Sequence, residues 1–176
     1  MKLLLILYFV ALSSGCKSER KTQPINVANK NINLEIIVAQ IAEENVIGDN
    51  IGIAGSPYRF KLYQNLNKNA TNEDLVFLTD NKAPSVRYYA FRALCYRKNP
   101  LVFDLLVKHI NDTARLTSFN GCSGIKETLI YNLLNVVKSK YIEPTGYRLT
   151  SAQEKVIDSL LKIYPDPVYN EISAEN

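Results

Sequence analysis

Residues 75–94 read LVFLTDNKAPSVRYYAFRAL. Two apolar segments stand on either side of a polar turn. Leu75, Val76 and Leu78 form the first. They follow Thr71-Asn72-Glu73-Asp74, where a carboxylate comes three residues after the Thr, a capping-box spacing. Lys82-Ala83-Pro84-Ser85 then breaks the chain. From Val86 to Arg97, Val86, Ala90, Ala93 and Leu94 share one helical face. Tyr88, Tyr89, Phe91, Cys95 and Tyr96 make the remainder apolar too. A helix that is apolar nearly all round sits between neighbours and not at a surface. The spacing predicts a helix–turn–helix unit whose second helix is interior.

Working outward, the period stays helical. Upstream, Leu34, Ile37, Val38, Ile41 and Ala42 form a stripe that stops near Gly48. After the connector 50–55, Ser56-Pro57 is a helix start, with Leu62 and Leu66 as its stripe. Downstream, Asn99-Pro100 restarts the pattern, and Phe103, Leu106, Val107 and Ile110 follow. Ser123 is expected to cap a helix carrying Ile125, Leu129, Leu133, Val136 and Val137. Residues 138–147 read as a loop. Thr150 with Gln153 opens a last helix with Val156, Ile157, Leu160, Leu161 and Tyr164 as its inner face, ended by Pro165 and Pro167. Only Ala114 to Phe119 looks strand-like. The expected fold class is all-α over residues 32–176, with short helices stacked as antiparallel neighbours.

The central unit resembles a HEAT repeat, clearest over residues 71–98. Leu75 and Leu78 match its first helix, Asp80 its turn, then Pro84, Val86-Arg87, and Ala90, Ala93 and Leu94 on the second helix. Leu105-Leu106, Ile110 and Asp112 make a poorer second copy, in which Arg115-Leu116 inverts the Val-Arg order. The resemblance covers about residues 56–137. It implies a short α-solenoid, in which Asp80 braces the turn and Arg87 bridges to the turn of the next unit. Such units stack because one alone cannot bury its apolar face. The resemblance also implies a scaffold that binds other macromolecules, and no reaction.

The chain opens MKLLLILYFVAL, a Lys followed by the apolar run Leu3–Leu12. That run is shorter than the roughly 20 residues a helix needs to cross a bilayer. It fits the apolar core of an export signal. LSSGC at residues 12–16 then resembles the lipobox of bacterial lipoproteins, with small Ser14 and Gly15 before Cys16; Ser13 stands where the family usually has an aliphatic residue. The resemblance implies cleavage of residues 1–15 and acylation of Cys16, which would anchor the protein to a membrane. One acyl chain holds only marginally, whereas two or three hold durably. Lys17 after the Cys, in place of Asp, implies the outer membrane by likeness to Gram-negative sorting rules. Residues 16–31 then read as a lipidated, disordered tether. Together with the helical repeat, this resembles short lipoproteins of Bacteroidetes-type bacteria.

Composition bounds the chemistry. One His, one Met, no Trp and three Cys leave little for zinc clusters, haem pockets or disulfide frameworks, so no metal and no cofactor is expected. A net charge of +4 is too mild to suggest nucleic acid, and export argues against it. His109 and Cys122 are the only conceivable nucleophile–base pair, with Cys122 in the Gly-flanked turn GCSG. No motif supplies an orienting group or an oxyanion hole, so no catalytic residue is assigned. Cys95 and Cys122 are able to bridge in an oxidising envelope, although Cys95 also fits a small core residue. Asp112-Thr113-Ala114 resembles the three-residue O-glycosylation pattern of such envelope proteins, pointing to Thr113. Tyr88, Arg92 and Tyr96 recur at i, i+4, i+8 and are expected to form one face for a protein or glycan partner. The expected function is thus a lipid-anchored envelope interaction module. The alternatives are a small envelope enzyme or enzyme subunit using Cys122 and His109, or an inhibitor or immunity-type binding protein.

Overall fold

A computed structural model describes residues 27–48, 57–120, 123–138 and 147–164. Residues 1–26 lie outside it, so the signal segment, Cys16 and most of the tether do too. The described residues form seven helices and three strands: α1 (Val27–Glu44), β1 (Val46–Ile47), α2 (Pro57–Asn69), α3 (Asn72–Leu78), α4 (Pro84–Tyr96), α5 (Val102–Lys108), β2 (Arg115–Asn120), β3 (Ser123–Thr128), α6 (Leu129–Lys138) and α7 (Ser151–Ile163). The fold is therefore mostly helical but not all-α.

Helix α4 is the axis. It packs against α1, α2, α3, α5, α6, β1 and β2. Its Val86, Ala90, Ala93 and Leu94 are fully buried, and so nearly are Tyr89 and Phe91. Small Ala90 and Ala93 let neighbouring helices approach closely, and the larger side chains fill the space beyond them. This is the interior helix that its all-round apolar pattern predicts.

Local signals set the helix ends. Thr71 Oγ1 accepts from the Asp74 N–H, and the Asp74 carboxylate accepts from the Thr71 N–H at 2.8 Å. Thr150 and Gln153 make the same reciprocal pair at α7. Each such cap stabilises its helix by about 1 kcal/mol. At the end of α4 the Asn99 N–H donates to the Leu94 carbonyl and the Lys98 N–H to that of Cys95. This is a Schellman closure, and it forces Lys98 to φ 56°. Asn45 ends α1 at φ 46°. Its Oδ1 accepts from the Ser85 N–H, its Nδ2 donates to the Arg115 carbonyl, and its own carbonyl accepts from the Thr117 N–H. One residue thereby joins α1, the start of α4 and the sheet.

The sheet runs β1-β2-β3. β1 pairs parallel to β2 through Val46↔Thr117 and Ile47↔Ser118. β2 and β3 form an antiparallel hairpin from Arg115↔Thr128 to Asn120↔Ser123. The strand-like stretch 114–119 is thus β2. Two expectations are corrected here. Ser123 does not cap a helix: it opens β3, and α6 begins at Leu129. Asn120 pairs with Ser123, so the connection is Gly121-Cys122, whose Gly-X order is a two-residue hairpin signal that outweighed the Ile125–Leu129 spacing. The tether boundary at residue 31 also moves, because α1 begins at Val27; helix propagation adds one hydrogen bond per residue once a packed segment has nucleated. In α7 only Ile157 is fully buried, and Val156, expected inward, points to solvent.

Candidate functional site

The polar side chains of the central unit converge where the turn after α3 meets the turn after α5. Arg87, one turn into α4, forks onto Asp112: Nε lies 2.9 Å from Oδ2 and Nη2 donates to Oδ1 at 3.0 Å. The two side chains are only 11% and 17% exposed. Arg87 Nη1 also donates to the carbonyls of Asn81 and Lys82 at 2.6 and 3.0 Å. Asp112 Oδ1 in turn accepts from the Ala114 N–H, which shapes the entry to β2. A planar guanidinium suits this task, because one rigid fork satisfies a carboxylate and two carbonyls together.

Asp80 sits beside this link. It accepts from Lys108 Nζ at 2.5 Å and lies 3.4 Å from His109 Nε2. The other imidazole nitrogen is 3.8 Å from Asp112 Oδ2. His109 thus stands between two carboxylates from consecutive turns. Burial pushes its pKa below the ordinary 6.5, against the pull of Asp80 and Asp112. Asp80 and Arg87, the expected bracing residues, are brought together with Asp112 and His109. Cys122 lies outside the described residues, so the arrangement that is described gives His109 two acidic neighbours and no nucleophile. Among the described residues no group of three or more His, Cys, Asp and Glu could hold a metal ion.

The expected face of Tyr88, Arg92 and Tyr96 does not form as one surface. Tyr88 is 6% exposed and Arg92 4%, whereas Tyr96 is 49% exposed. Residues spaced by four share a helix side, but α4 is wrapped by neighbours over most of its length. Only its last turn emerges, and Tyr96 is there. Arg92 instead lies over the Tyr63 ring at 4.6 Å from its centroid. Tyr63 stacks at 5.6 Å on Tyr89, which meets Tyr88 edge-on at 5.3 Å. Phe60 adds a further ring 6.0 Å from Tyr63. These rings join α2 to α4 through the interior.

Tyr96 itself lines an open groove of about 270 Å³ with Phe60, Tyr63, Gln64, Asn67 and Lys68. The i, i+3, i+4 spacing along α2 from Phe60 to Lys68 is visible in the sequence, but its meeting with Tyr96 is not. Of the possible Cys95–Cys122 bridge, Cys122 lies outside the described residues, and Cys95 is a buried thiol of α4. Burial raises its pKa well above the ordinary thiol range, so it packs as a small core residue. Thr113 is exposed in the connection from α5 to β2. Large apolar side chains also stand in solvent on the two short helices of the central region. Phe77 of α3 is 78% exposed, and Leu101 and Val107, flanking and within α5, are about half exposed.

Compared with known proteins, the chain matches no family model, no curated protein and no solved structure. Among the described residues no helix is long and apolar enough to cross a membrane.

Proposed function

We propose that this protein is a lipid-anchored module of the bacterial cell envelope that binds another protein and acts as a scaffold rather than as a catalyst. Its N-terminal signal is cleaved, Cys16 carries the lipid, and the anchor lies in the outer membrane. The helical body from α2 to α6 works as a short HEAT-like stack, with the Arg87–Asp112 fork joining one unit to the next. The lipobox residues Ser14-Gly15-Cys16 support the anchor. The observation that carries the binding reading is Phe77, a large aromatic ring left 78% exposed on α3. Aromatic residues dominate the energetics of protein interfaces. Phe77 lies one turn before Asp80, so the Arg87 and Asp80 links hold its helix in place from behind. The bound surface is centred on Phe77.

The test replaces Phe77 by a photo-crosslinking phenylalanine in the native host, with the exposed Lys155 of α7 as the control position. Irradiation is expected to yield one discrete adduct from position 77 and none from 155. In the same cells Cys16→Ser is expected to release the protein from membranes and to abolish the acyl mass. A position 77 that yields no adduct removes the binding surface. A Cys16→Ser protein still held in the outer membrane removes the anchor.

A further inference from the structure

The groove between the end of α2 and the last turn of α4 has the make-up of a ligand site, and it is independent of both the anchor and the Phe77 surface. Its floor is rigid. The Tyr63 ring is buried, stacked on Tyr89, and backed by the Arg92 guanidinium at 4.6 Å. Phe60 and the half-exposed Tyr96 supply flat aromatic carbon to the walls. Aromatic rings of this kind give contact area at little entropic cost because few torsions are frozen.

The polar groups are fixed as well. Arg97 Nε donates to Asn67 Oδ1 at 3.0 Å, and Arg97 Nη2 donates to the Asn67 backbone carbonyl. Further bonds to the Ala70 carbonyl and to Asn72 Oδ1 hold the guanidinium in place. With its carbonyl oxygen occupied, the Asn67 side chain is oriented so that its NH₂ is left for the groove. Gln64 and Lys68, exposed and one turn apart on the same helix, add an amide and an ammonium. Flat carbon beside a few oriented donors is the pattern of a small-molecule site, and the volume lies just below the usual range, enough for a single ring.

Charge narrows the ligand. Helix α2 carries Lys61 and Lys68, and Arg97 and Lys98 follow the end of α4. Neither helix holds an Asp or a Glu. Lys68 lines the groove and the Arg97 guanidinium is held behind Asn67, so an anionic group is favoured there. The alternating apolar faces and hydroxyls of a sugar ring match flat aromatic carbon set beside amide donors. We infer that this groove binds an acidic saccharide, with a sugar face stacked on Tyr96 and Phe60, hydroxyl oxygens accepting from Asn67 and Gln64, and a carboxylate facing Lys68.

Saturation-transfer NMR tests this on the full chain held in a detergent that contains no sugar. The probes are tetragalacturonate, neutral maltotetraose, tetraglutamate and a short oligothymidylate. Transfer to tetragalacturonate is expected, with a Kd of about 1 mM. Tyr96→Ala and Lys68→Glu are each expected to weaken it about tenfold. Both positions are solvent-facing, so both variants should keep the parental melting temperature. Maltotetraose should bind more weakly than the acidic sugar. Absence of transfer to tetragalacturonate overturns the inference. So does transfer that survives both substitutions, or tighter binding of maltotetraose, tetraglutamate or the oligothymidylate. None of these outcomes bears on crosslinking at position 77, so the two readings stand or fall separately.

Discussion

His109 illustrates how one side chain records its surroundings. It is mostly buried among Asp80, Asp112, Lys108 and Arg87, and burial outweighs the two carboxylates, so its folded pKa lies below 6.5. Above that pH both the folded and unfolded chains hold it neutral. As pH falls through about 6.5, the unfolded chain takes up a proton that the folded chain resists. Stability is therefore lost as pH falls from 6.5 toward the depressed value, and this group contributes no further slope below it. Urea midpoints measured between pH 7.5 and 5.5 should fall on acidification, while carboxylates stay largely ionised over most of that range. In His109→Gln that decline should flatten. A parental slope retained in the variant would show that another group carries it.

At the level of single elements, helix α4 combines strong local signals with one strained position. Pro84 starts it, and the Schellman bonds from Lys98 and Asn99 close it. Closure needs a left-handed residue, and Lys98 fills that place at φ 56°. A side chain there costs about 1 kcal/mol that glycine avoids. Lys98→Gly should therefore stabilise the protein by about 0.5–1 kcal/mol in chemical unfolding, the greater freedom of the unfolded glycine offsetting part of the gain. A destabilised variant would mean that the Lys98 side chain makes a compensating contact. Elsewhere, element identity was only partly legible. The capping boxes at Thr71 and Thr150 are complete within four residues, and both form. The β3 strand is different: Ile125 and Leu129 satisfy helical spacing, yet Ile125 pairs with Ser118 of β2 and the helix begins only at Leu129. Gly121-Cys122, between the paired Asn120 and Ser123, carries the hairpin signal, and β2 lying between β1 and β3 gives the strand its partner.

For the whole molecule, the Arg87–Asp112 fork is the polar link of longest consequence, since it ties α4 to the segment that leads from α5 into the sheet. Removing either member leaves a mostly buried charge without its counterion. Arg87→Ala and Asp112→Ala should each cost about 2–4 kcal/mol, with a coupling of about 1–3 kcal/mol in the double-mutant cycle by urea unfolding. Additive losses would show that the two act separately. The candidate sites follow the same division between local and distant information. Arg87 and Asp80 were legible because their spacing from Pro84 and Asp112 matches a repeat. The groove was half legible, since Phe60, Gln64, Asn67 and Lys68 lie along one helix. The spacing of Tyr88 and Arg92 predicts a surface face because nothing in it records how many neighbours α4 has.

What the chain's order of residues determined alone is local: where α2, α3, α4 and α7 begin, which of them is apolar all round, and which short segments cap them. These follow from hydrogen bonds and side-chain periodicity within a few residues. Only the tertiary structure decided what covers each face. It buried Tyr88 and Arg92, left Phe77 in solvent, made a strand of residues 123–128, and brought Tyr96 across to α2. Burial depends on partners distant in sequence, and the free energy of removing apolar surface from water is realised only when those partners meet.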